Sequence, residues 1–378
     1  MVLFKIRTAA TIAVAAGALV AAPAAAFASP GQAQPARALS HPALSQVNLA
    51  SDIPGVARLT DPDLKNPWGA ALSATSPLWV ADQGTRVSTV YSLAPGSRTV
   101  AKSQTVRVTL PNTKLGPAGL VANTSNGFVL TKGTVKAPAA FIWSTLDGHI
   151  EAWSPKTNPL TGDATDVVPG DGDAYTGLTI AATAHGEELF AANFAPGGGI
   201  DVFNSAFHPV KLPAGAFKDH RLPAGYLPFN VQAIDGHIFV TYDTMDPKTH
   251  REGVGAGIGV VDEYSTSGHL VARIASGGTL NAPWGVAIAP KGFGAVAAGS
   301  LLIGNFGDGR INVVAGHNFK FLGHVSGQIV VKSTGKPFAE PGLWALVPGT
   351  ATTGGTNAVW FTAGIDNEQH GLLGVLRP

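Results

Sequence analysis

The chain has 378 residues, of which 45% are hydrophobic and 13% charged, with 47 glycines and no cysteine. A formal net charge of +1 without a basic stripe offers a nucleic-acid partner nothing to hold, and the lack of cysteine excludes disulfides, a thiol nucleophile and a lipid-modified cysteine. Stability must come from a large apolar core, for which about 350 residues suffice.

Lys5 and Arg7 precede an uncharged Ala- and Val-rich run from Thr8 to Val20, followed by small residues ending in Ala26-Phe27-Ala28, the pattern of a secretory signal peptide with cleavage after Ala28. The competing reading, a membrane anchor, is opposed by the shortness of the run and by Pro23. The expected product is secreted, and losing Lys5 and Arg7 leaves 23 basic against 24 acidic residues, a net charge of −1. Residues 29–43 are Pro-rich and aperiodic and read as a flexible leader. Residues 44–378 read as one domain, expected to be a monomer, and no second apolar run reaches membrane-spanning length.

Within that domain six similar openings recur: Pro67-Trp68-Gly69, Pro117-Ala118-Gly119, Tyr175-Thr176-Gly177, Pro228-Phe229-Asn230, Pro283-Trp284-Gly285 and Leu343-Trp344-Ala345. Each leads into a short apolar strand, and each is followed by a second strand ending in a polar turn, as in Leu78–Gly84, Phe141–Gly148 and Leu189–Phe194. Gly307-Asp308-Gly309 between Leu302–Asn305 and Ile311–Val314 is the plainest of these hairpins, since Gly and Asp tolerate the positive φ of a tight turn. An all-β repeat of 50 to 60 residues predicts a six-bladed β-propeller rather than a sandwich. Too little chain follows Leu343 for a full last blade, so the segment Gln46–Leu49 is expected to complete it and close the ring.

In such a ring, side chains from separate repeats converge on the mouth of the central channel. Asp82, Asn193, Asn305 and Asp366 form a candidate set of metal ligands, with Asn66, Asn230 and Asn281 near the openings, and their oxygens suit calcium. The competing role for these side chains is turn capping through their own backbone. Trp68, Trp284 and Trp344, together with Asn230, are candidate ligand-binding residues, the tryptophans as an aromatic collar; the alternative is that they wedge blades together. The segment Asp366–Gly371 concentrates acid, amide and imidazole and reads either as a place for a general base or as a polar turn. Asp243–Gly259 is long for a loop and is expected to overhang the mouth. Histidines lack metal spacing, and there is no G-x-S-x-G elbow or P-loop, so no catalytic residue is assigned.

The strings Ser51-Asp52-Ile53-Pro54-Gly55, Asn66-Pro67-Trp68-Gly69, Asn281-Ala282-Pro283-Trp284-Gly285 and Gly304-Asn305-Phe306-Gly307-Asp308-Gly309-Arg310 resemble a family of secreted bacterial propellers first catalogued in genomes encoding PEP-CTERM sorting signals. The resemblance implies a six-bladed propeller and no particular activity. The end Leu376-Arg377-Pro378 carries no PEP motif or apolar anchor, so release is expected. The repeats are also similar in plan to NHL repeats and to calcium-dependent lactonases of the gluconolactonase type, which hold their metal with a Glu and several Asn or Asp side chains. No Glu stands at a repeat-equivalent site here.

Two functions follow as expectations. The first is a module that binds a small molecule, protein or glycan at the channel mouth; the second is a calcium-dependent hydrolase of the lactonase or esterase type. A quinone-holding redox propeller is a third, disfavoured because no basic cofactor-binding pattern is present.

Overall fold

A computed structural model describes residues 40–317 and 320–378. The expected signal peptide, 1–28, and most of the leader lie outside the described residues. Those described form a six-bladed β-propeller; the only helical turn among them is Gln83–Thr85, and among the described residues no helix is long and apolar enough to cross a membrane.

The inner strands of the blades are Pro67–Ala71, Pro117–Ala122, Tyr175–Thr183, Tyr226–Ile234, Pro283–Ile288 and Leu343–Pro348, and each packs against the next around the ring. Three begin at proline, which costs no ladder bond at the first position of a strand. Each inner strand pairs antiparallel with a second strand: Leu78–Asp82, Phe141–Thr145, Gly186–Asn193, His237–Thr244, Leu301–Asn305 and Val359–Ala363. Leu78–Asp82, Phe141–Thr145, Leu301–Asn305 and Val359–Ala363 are buried throughout, because a blade has a neighbour on both faces; this is why they read as continuous apolar runs without alternation.

The third residue of the repeat opening sets how closely the blades meet. A Cβ on Gly119 would lie 2.5 Å from the backbone nitrogen of Leu178, and one on Gly285 would lie 2.5 Å from the carbonyl oxygen of Trp344. A Cβ on Gly69 would lie 2.4 Å from the carbonyl oxygen of Ala118, and one on Gly177 would lie 2.8 Å from the Cα of Asn230 and closer still to its side-chain oxygen. The glycine therefore allows the inner strands of adjacent blades to touch backbone to backbone near the axis.

Ring closure follows the expectation. Ala43–Ser51 pairs antiparallel with Leu372–Arg377, running from Ser45 opposite Arg377 to Ser51 opposite Leu372, and becomes the outer strand of blade six. Ser40, counted with the leader on sequence grounds, is already tied to blade five: its N–H donates to Ser326 O and its carbonyl accepts from Gln328 N, both at 2.9 Å. A hairpin of Val129–Lys132 and Val135–Pro138 is inserted in blade two, between its first and second strands, and was not anticipated from the sequence.

Deleting residues 44–50 exposes the edge of Leu372–Arg377 and is expected to abolish the cooperative thermal transition seen by circular dichroism. Gly119→Ala forces backbone apart at the axis, and chemical denaturation should show a loss of about 1–3 kcal/mol.

Candidate functional site

Between the six inner strands the axis holds a cavity of only about 40 Å³, lined by Gly69, Gly119, Leu178, Asn230, Gly285 and Leu346 among others. Asn230 belongs to this cavity, where its Nδ2 donates to Trp284 O at 2.7 Å and ties blade four to blade five. Above it the tryptophans do not form an open collar. Trp68 and Trp344 stack with ring centroids 3.5 Å apart, and Trp284 meets both edge-on at 6.1 and 5.7 Å. With Phe194, Phe229 and Phe306 they form an apolar plug across the axis. Trp284 Nε1 donates to Thr176 O of blade three at 3.1 Å, and Trp344 Nε1 donates to Asn66 Oδ1 of blade one at 3.0 Å. Of the three, Trp68 is the one that lines the space above.

That space is a cavity of about 710 Å³ at the mouth of the ring. Its apolar surface comes from Trp68, Leu115, Leu146, Phe194 and Met245; its polar walls carry four acids, Asp147, Asp173, Glu252 and Glu368, with Arg251, His250 and the carboxamides of Asn66, Gln83, Asn367 and Gln369. Asp147 is fixed by three donors: Thr113 Oγ1 at 2.6 Å, Lys114 N at 2.7 Å and Thr145 Oγ1 at 2.9 Å. Burial opposes its ionisation, but these donors outweigh it and hold the carboxyl below its usual range. Asp173 accepts from Asn193 Nδ2 at 2.7 Å and from the Tyr175 hydroxyl at 3.0 Å.

Glu368 spans three blades. It projects from the blade-six hairpin, accepts from Asn66 Nδ2 of blade one at 2.9 Å, and pairs with Arg251 from the long blade-four loop, which also holds Glu252 at 2.7 Å. Burial, only partly offset by Arg251, raises the Glu368 carboxyl above its ordinary value. The backbone bears the strain of this placement: Asp366, Asn367 and Glu368 have φ of 53, 53 and 66°, three successive left-handed residues without a glycine. Such conformations persist where surrounding contacts over-determine them.

The four residues singled out as metal ligands lie apart from this cavity's lining. Asp82 shares a strand face with Leu78 and Val80, which pack against blade six, and its Oδ2 accepts from Thr89 Oγ1 at 2.6 Å; burial pushes its carboxyl well above the usual value. Asn193 shares a face with Leu189 and Ala191 and spends its amide on Asp173 and Asp201, its oxygen on the N–H groups of Ala174 and Ala195. Asn305 bonds Thr279 O at 2.8 Å, Asp308 Oδ1 at 2.9 Å and Asn312 Nδ2 at 3.1 Å. Period-two alternation sends the side chains at these strand ends toward a blade interface, not the axis. Asp366 sits at the start of the strained hairpin, whereas the next three residues line the mouth. Asn281 accepts from Gly255 N at 2.8 Å and anchors the blade-four loop to blade five.

Asp147, Asp173, Arg251 and Glu368 were not singled out from sequence as binding residues. Two had a signal: Arg251 lies in the overlong loop, and Glu368 in the six-residue acid, amide and imidazole cluster. Asp147 and Asp173 look like ordinary turn residues until the loops are brought together.

At the base of the same loop, Asp243 is fully buried; its Oδ1 accepts from Thr244 N at 2.7 Å and its Oδ2 has no partner among the described residues. Burial, with the nearby Glu252 carboxylate, pushes its pKa up to about 8. The folded state keeps this proton where the unfolded chain has released it, so the group costs stability progressively as pH rises from about 4 to about 8. Asp243→Asn should therefore match the parent near pH 4 and melt at a higher temperature by pH 8, a divergence that paired thermal scans will read.

No family model matches the chain. Among solved structures, the α-L-arabinofuranosidase of Fusarium graminearum bound to an iminosugar inhibitor superposes with a TM-score of 0.53 at 12% identity, over 88% of this chain and 97% of that one, which is a likeness of fold. Two Acanthamoeba polyphaga mimivirus proteins are similar in sequence: uncharacterized protein L690, 29% identical over 84% of this chain and 81% of its own length, and uncharacterized protein R648, 32% identical over 86% of this chain and 78% of its own. The chain belongs to the family of this last protein.

Proposed function

We propose that the mouth of the ring binds a small hydroxylated ligand, and that the protein acts as a binding module. The observation that carries this reading is the cavity of about 710 Å³, with an apolar floor containing Trp68 and walls of carboxylates and carboxamides on separate blades. An aromatic face packs against the C–H side of a ring, while carboxylates and amides exchange hydrogen bonds with hydroxyls around it. The plug beneath the floor favours capture over passage, since it leaves only about 40 Å³ on the axis below. The polar groups are fixed in advance: Asp147 by three donors, Asp173 by two, and Glu368 by Asn66 and Arg251. Preorganisation of this kind lowers the ordering cost of binding.

A panel of mono- and disaccharides and polyols, titrated by calorimetry, tests the proposal. At least one member should bind one-to-one, and Asp147→Asn should weaken it by about 1.5–3 kcal/mol, the range for a hydrogen bond to a charged group. Failure of every member to bind, or binding indifferent to both Asp147→Asn and Glu368→Gln, overturns this reading.

A further inference from the structure

A second cavity, of about 450 Å³, lies between blades three and four and has its own lining. It arises because blade three has three ladder strands and ends at Ile200–Asn204. The following stretch, with Pro209, Pro213 and Pro223, cannot offer the regular N–H ladder of a fourth strand. It leaves blade three after Val210, whose N–H bonds Val202 O at 2.7 Å, and crosses to blade four, where Phe217 N–H bonds Gly268 O at 2.8 Å. The space so enclosed is walled by Phe217, Tyr226, Tyr242 and Leu222, and exposed Lys218 and His220 also line it. Asp219, also in the lining, is already committed to Arg273 and Arg221.

The phenols in this wall hold more protons than the protein uses. The hydroxyls of Tyr242 and Tyr264 lie 2.7 Å apart and are buried. The pair has two protons, their contact consumes one, and neither hydroxyl makes another hydrogen bond among the described residues. The Tyr226 hydroxyl accepts from Gly259 N at 3.4 Å and donates to no described residue. Burial raises the pKa of Tyr242 and Tyr264 above the ordinary phenol value, so both remain donors at neutral pH. Native interiors seldom leave buried donors unspent, and when they do the cause is a water, an ion or a ligand.

We propose that this cavity binds a small aromatic carboxylate. Its ring lies against Phe217, its carboxylate oxygens accept from the phenols of Tyr242 and Tyr226, and Lys218 contributes the positive charge that favours an anion. The proposal is independent of the mouth, with which the cavity shares no lining residue.

The test titrates benzoate, 4-hydroxybenzoate and indole-3-acetate, with benzamide as the uncharged control, by calorimetry and saturation-transfer NMR. At least one carboxylate should bind one-to-one and more tightly than benzamide. Tyr242→Phe should weaken it about tenfold or more, as expected for losing a hydrogen bond to a charged group. Tyr264→Phe removes the competing phenol without touching the wall and should preserve binding, which separates a donor role for Tyr242 from mere packing. Glu368→Gln, in the mouth, should leave it unchanged. The proposal is overturned if no carboxylate binds below millimolar concentration, which leaves water as the acceptor, if benzamide binds equally well, or if Tyr242→Phe has no effect.

Discussion

Everything in this molecule depends on how closely six inner strands approach one another at a single position. Gly69, Gly119, Gly177 and Gly285 leave no space for a Cβ against the next strand, and the ring closes tightly enough that its axis retains about 40 Å³. With the axis this narrow, the large residue just before that position in four blades, Trp68, Phe229, Trp284 or Trp344, is driven to the mouth end, where these side chains pack on one another. One steric requirement thus converts a channel into a cup with an aromatic floor.

The rim of the cup is held by polar groups that satisfy each other across blades. Arg251 reaches Glu368, Glu368 takes a hydrogen bond from Asn66, and Asn66 accepts from the indole of Trp344 in the floor. This chain joins the blade-four loop, the blade-six hairpin and blade one to the plug. Partly buried charges stay in place only when paired and hydrogen-bonded, so the network holds Glu368 in the mouth despite the left-handed backbone of residues 366–368. Loops with rigid scaffolds beneath them are where such strain is stored and used.

The repeats and their strands were legible because they rest on local rules, and the closing strand because too little chain follows Leu343 for a full last blade. Apolar runs, turn residues and proline at strand starts appear in the sequence in the order in which they act. The candidate site was less legible. Asp82, Asn193 and Asn305 share a residue type and a repeat position, which suggested convergence, but alternation along the strand aims them at blade interfaces, where they cap their own blades. Arg251 and Glu368 are 117 residues apart and meet only because the ring brings blades four and six over one mouth. The cavity between blades three and four similarly depends on where a proline-rich connector crosses, which no spacing rule predicts.

By itself the sequence determined the architecture: a glycine-rich, all-β repeat long enough for six blades, closed by its own first strand, with small residues where the strands converge. The strands and turns follow from sterics and periodicity between residues near in the chain, and the closure from counting repeats against the chain left for the last blade. Only the tertiary structure decided that the tryptophans plug the axis, that the mouth is lined by Asp147, Asp173, Arg251 and Glu368, and that phenols with unspent protons face a second cavity. Those outcomes depend on which side chains meet across blades and what each has left to bond once its neighbours are satisfied, and that accounting exists only after the ring has closed.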